Sequence, residues 1–83
     1  MARFTVSICL GGGDGWETVV EVPTTENEDK RLEYCRNNFV YDISNVKGLK
    51  RLYKKIISEV RYAMRLDAID KDDYNRASFI VRI

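Results

Sequence analysis

The chain contains no histidine, one proline, one tryptophan and two cysteines in 83 residues. It also lacks any apolar run approaching the ~20 residues that cross a bilayer. The missing histidine removes the commonest general base and the commonest transition-metal ligand together. One proline and five glycines leave no room for a long flexible linker, so one domain covering 1–83 is expected. The opening MARFTVSICL alternates too regularly to be the core of a signal peptide. A cytoplasmic protein is expected, with Cys9 and Cys35 as free thiols rather than a disulfide.

Charge of one sign is not in excess: fourteen Lys and Arg against thirteen Asp and Glu give a formal +1. The distribution says more than the total. Asp14 to Asp42 holds eight acids and three bases, a net of −5, whereas Lys47 to Arg65 holds seven bases and the single acid Glu59, a net of +6.

The stretch that organises the rest is Val46 to Leu66. At about 100° per residue, Leu49, Leu52, Tyr53, Ile56, Ile57, Val60, Ala63 and Met64 share one face. Lys47, Lys50, Arg51, Lys54, Lys55, Arg61 and Arg65 share the opposite one. This predicts a helix of about five or six turns, one side to be buried and the other strongly positive. Ser44 is its candidate N-cap. Gly48, within it, costs about 1 kcal/mol relative to alanine or marks a close contact.

Arg3 to Leu10 alternates strictly, with Phe4, Val6, Ile8 and Leu10 on one side, and Trp16 to Val22 alternates again. The Gly11–Gly15 segment, GGGDG, joins them as a hairpin tip. Its composition suggests a phosphate-cradling loop, but such a loop must open a helix, and a strand follows here. The tip with Trp16 beside it is a secondary candidate for partner contact. Pro23 ends the second strand. Thr25 with Glu28 three residues on has capping-box form, so a helix is expected from near Glu26 to Asn37 or Asn38, with Leu32, Cys35 and Phe39 as its stripe. Phe39–Ile43 reads either as a short extended segment or as an irregular connection. The long helix should end between Leu66 and Lys71, and Ser78–Ile83 alternates as a last strand.

The expected fold is therefore α+β: a small two-layer β-β-α-α-β domain, its three-stranded sheet covered on one face by one long and one short helix. The first strand is expected at the centre, with a parallel last strand favoured over the alternative order. The open sheet face would carry Arg3, Thr5, Ser7, Cys9, Glu17, Val19, Glu21, Ile80 and Arg82, with opposite charges paired across strands. Cys35 is expected in the core.

Catalysis finds little foothold. Without histidine a base must be a carboxylate, lysine or tyrosine, and nothing places two such groups in one apolar pocket. Nor do the strand neighbours of Cys9 offer it a cation. The acidic run Asp67 to Asn75 fails as an EF-hand: Tyr74 stands at the third ligand position, and Val81 replaces the closing Glu. It remains at most an opportunistic Mg²⁺ or Ca²⁺ site. No cofactor, no resident metal and no enzyme activity are expected.

The residues expected to work are Lys47, Lys50, Arg51, Lys54, Arg61 and Arg65, with Tyr62 at the border of the basic face. The first function expected is a small non-enzymatic protein-binding module, an adaptor or inhibitor of the kind phages and mobile elements encode, meeting an acidic protein surface. The alternative is nucleic-acid binding by the same helix, opposed by the weak net charge. Attachment to an anionic membrane is disfavoured because the apolar helix face is needed inside. A homodimer through a sheet edge is a further possibility.

Overall fold

The computed structural model describes residues 1–11, 14–66 and 77–83. Two alternating runs become strands β1 (Ala2–Gly11) and β2 (Asp14–Val22). Helix α1 (Glu26–Asn37) and helix α2 (Lys50–Leu66) follow, and strand β3 (Ser78–Arg82) closes the order β-β-α-α-β. The sheet runs β2-β1-β3, and the first strand is central as expected.

Both sheet pairings are antiparallel, which corrects the favoured parallel pairing of first and last strands. The path of α2 gives the reason. Its C-terminal residues Val60 and Met64 come to Ile8 and Trp16, beside the hairpin end of the sheet. β3 accordingly starts at that end, Ser78 opposite Cys9, and runs down β1 to Arg82 opposite Thr5. A parallel β3 would have to start at the other end of the sheet.

The period-2 strands and the period-3.6 helix stripe meet in one core. Phe4, Val6, Ile8, Val22 and Val81 come from the sheet, Leu32 and Cys35 from α1, and Leu52, Ile56, Val60 and Met64 from α2. Each such aliphatic burial is worth about 1.5–3 kcal/mol. Tyr53 and Ile57 pack at its margin, while Ala63, expected on the same face, is exposed. Across the sheet from the helices, Arg3 bonds Glu21 at 3.1 Å, and Glu17 accepts from Ser7 and Arg82 at 3.2 and 2.6 Å. Opposite charges pair over the open face as the alternation predicts. Cys9 is an exposed free thiol and Cys35 a buried one.

α1 forms where its capping box places it. Thr25 accepts from the Glu28 amide, and the Glu28 carboxylate accepts from the Thr25 amide. α1 ends in a Schellman turn: Val40 N–H donates to the Cys35 carbonyl at 2.8 Å and Phe39 N–H to the Arg36 carbonyl at 3.3 Å. Phe39 thereby takes φ 59°, a position that favours glycine, and its ring is 79% exposed instead of continuing the helix stripe. The segment after it runs along the outer edge of β3. Ile43 N–H donates to Val81 and Ile83 N–H to Tyr41, and Asp42 bridges to Arg82.

α2 starts four residues later than the periodicity suggests. Gly48 has φ +90°, which no right-handed helix accepts, so Val46–Leu49 forms turns ahead of it. Ser44 does not cap it; its hydroxyl donates to Asp42 Oδ1 at 2.6 Å.

Two positive φ values give opposite predictions. Phe39→Gly should raise stability by about 1 kcal/mol by removing the left-handed penalty of a side chain that packs on little. Gly48→Ala should lower it by about 1–2 kcal/mol. Its new Cβ would meet Arg31 Nε at an ordinary 3.5 Å, so the cost is in the backbone alone. Denaturant midpoints at unchanged slope check both.

Candidate functional site: a basic surface at the helix junction

The turns before α2 and the outward stripe of α2 bring Lys47, Lys50, Arg51 and Lys54 to one side, but not Arg61. Lys47, Lys50, Arg51 and Lys54 are exposed and Lys55 is half-buried. Tyr62, further along, is 64% exposed. Half-buried Arg61 turns toward the sheet, its guanidinium 5.1 Å from the centre of the Phe79 ring. Arg65 lies in the last turn of α2; its side chain is outside the described residues, as is the acidic run Asp67–Asn75. Lys47 sits on the turn before α2 rather than on the helix.

Arg51 has a structural role that the helical pattern does not disclose. Its Nη2 and Nε reach the two oxygens of the Glu28 carboxylate at 2.5 and 3.2 Å. Glu28 is 5% exposed and stands one turn before Leu32 on the buried stripe of α1. A buried carboxylate needs partners, and this one has the guanidinium and the Thr25 amide. Desolvation pushes its pKa up; the Arg51 hydrogen bond, the Thr25 amide and the Arg51 charge together outweigh that, and the pKa lies below the ordinary value of 4.5.

The acidic helix therefore neutralises little of the basic surface. Glu26 pairs with Lys30 within α1 at 3.6 Å, and Asp29 accepts from Thr24. Among the described residues Glu28 alone of the α1 carboxylates pairs with a base of α2, and Lys47, Lys50, Lys54 and Lys55 make no ion pair.

α1 also adds positive charge that the sequence reading grouped with the acids. Asn27, Lys30, Arg31 and Tyr34 line an open hollow of about 430 Å³ with Gly48. Asn45, Lys47, Gly48, Lys50 and Arg51 line a second of about 610 Å³. Both hollows touch Gly48, so the bases of α1 continue the surface of α2. The spacing 27, 30, 31, 34 is that of one helix flank and was the available signal. Arg31 also lies 5.8 Å from the centre of the Tyr34 ring, which is 58% exposed.

Chemically the surface offers mobile ammonium groups, a fixed guanidinium and exposed aromatic rings. That suits recognition of carboxylates or phosphates. Among the described residues no cluster of three His, Cys, Asp or Glu could hold a metal ion, and no helix is long and apolar enough to cross a membrane. No family model, curated protein or solved structure matches the chain.

The Glu28–Arg51 pair gives a pH prediction. Because the folded pKa is lowered, the pair's contribution is complete above the unfolded value and fades as pH falls through the folded one. Glu28→Gln should therefore lower stability at neutral pH and flatten the loss seen below the ordinary 4.5. Arg51→Ala should cost about 1 kcal/mol at neutral pH, a discounted figure because the Arg51 side chain is 59% exposed. Parallel pH-stability curves of the three proteins would contradict the coupling.

Proposed function

We propose that the chain is a small non-enzymatic protein-binding module, an adaptor or inhibitor, that docks on an acidic protein surface through its basic side. The observation that carries this reading is the set Lys47, Lys50 and Lys54, exposed and without an ion pair among the described residues. Charges on solvated helix faces usually alternate in sign. Here Glu28 of α1 is taken up by its own cap and by Arg51, Glu26 pairs with Lys30, and Lys47, Lys50 and Lys54 stay available. Lys30 and Arg31 extend the contact across the two hollows, and exposed Tyr62 lies toward the far end of α2. Such charges set encounter rate and register, and the exposed rings of Tyr34 and Tyr62 provide contact area. Free thiols at Cys9 and Cys35 fit work in the cytoplasm.

A second reading, nucleic-acid binding, draws on the exposed ring of Tyr34, beside Lys30 and Arg31, and on exposed Tyr62, which offer stacking surfaces for unpaired bases. It is disfavoured by a net charge of only +1 and by the exposed Glu26, Asp29 and Glu33 of α1, which would repel a long polyanion.

The test is a Lys47→Glu/Lys50→Glu/Lys54→Glu variant, which leaves the Arg51 tie intact. It should fold normally and bind the protein captured by the wild-type chain from host extract about tenfold or more weakly. The wild-type chain should not bind labelled DNA or RNA oligonucleotides at physiological salt. Steeply salt-dependent oligonucleotide binding that the variant loses would establish the second reading instead. Capture unchanged by the triple reversal would remove the basic surface from the interface.

A further inference from the structure

The two edges of the sheet are treated differently. β3 is covered along its outside by Tyr41–Ile43. Among the described residues β2 pairs with β1 alone, and nothing bonds to its outer edge. It is nine residues long, contains neither proline nor lysine, and carries its charges as the acids Asp14, Glu17 and Glu21. α2 leaves its helix-side flank partly open. A hollow of about 270 Å³ lies there, lined by Trp16, Thr18 and Val20 of the strand and by Val60, Ala63 and Met64 of α2. Trp16 is 41% exposed beside it, and Val19, on the other face, is 57% exposed.

We propose that two copies of the chain pair through β2, antiparallel about a two-fold axis at Thr18, to form a continuous six-stranded sheet. Three observations select a second copy and this register. Thr18 is the midpoint of Asp14–Val22, so the pairing uses the whole strand. It sets Trp16 of each copy opposite Val20 of the other, and each indole then lies against the partly open apolar flank beside the hollow. On the open face it sets Glu17 opposite Val19 and Gly15 opposite Glu21, and no like charges meet. A two-fold at Val19 would instead face Glu17 with Glu21 twice, a destabilising pairing. The contact is isologous, the commonest arrangement of small homo-oligomers, and lies apart from the basic surface, so it stands independently of the function proposed above.

Sedimentation equilibrium over a concentration series tests it directly. The wild-type chain should show a reversible monomer–dimer equilibrium. Thr18→Lys, which opposes two cations at the axis, should keep the wild-type far-UV spectrum and weaken the dimer about fivefold or more. In a Cys9→Ser background, Thr18→Cys should oxidise to a disulfide-linked dimer. Directly opposed strand residues lie ~4.5–5.5 Å apart at Cα, within disulfide reach. Val19→Cys in that background should not crosslink, because residues two steps out of register lie beyond that reach. A monomer at every concentration, a dimer indifferent to Thr18→Lys in a folded variant, or crosslinking at Val19 in place of Thr18 would overturn the proposal.

Discussion

The structure depends on one constraint: a three-stranded sheet and an amphipathic helix each have one apolar face, and the two faces must close on each other. Leu52, Ile56, Val60 and Met64 of α2 meet Phe4, Val6 and Ile8 of β1 in one core. A chain of 83 residues can build little more than that single core. Once the apolar side of α2 is committed, its lysines must face outward. The same commitment carries the end of α2 to the hairpin end of the sheet, and β3 follows antiparallel to β1. Burial thus sets both the topology and the orientation of the charged surface.

The join between the two helices is where local conformation and burial conflict. Gly48 at φ +90° turns the chain into α2, with Arg31 of α1 beside the turn. Glu28, on a stripe otherwise apolar, is held by Arg51 across the same join. A half-buried ion pair of this kind adds little net stability, but losing Arg51 leaves the buried Glu28 carboxylate poorly satisfied. Its main consequence is positional: α1 is fixed so that Lys30, Arg31 and Tyr34 continue the lysine surface of α2. At the other end of α1, Phe39 occupies a left-handed position with its ring in solvent. Neither backbone preference nor packing accounts for a phenylalanine there.

Much of this was legible in the sequence because its signals were periodic or local. Strict alternation gave β1 and β2, the Thr25/Glu28 box gave the start of α1, and the 3.6-residue stripe gave the buried side of α2. The failures came where tertiary contacts decide. Gly48 fits the helical pattern by position and breaks it by conformation. The direction of β3 depends on where α2 ends in space. Arg51 looked like its lysine neighbours because nothing local shows that Glu28 lies across from it. Lys30 and Arg31 were hidden by averaging charge along the chain instead of around the helix. A glutamate at the 28, 32, 35 spacing was the available warning that a buried carboxylate needed a cation.

We propose that Lys47, Lys50 and Lys54 form a docking surface while Arg51 is retained for the fold. Lysine footprinting by acetylation, on the chain alone and in its complex from host extract, tests it most directly. All three lysines should be modified fast in the free chain and strongly protected in the complex. Equal reactivity in both states, with protection confined to other lysines, would contradict it.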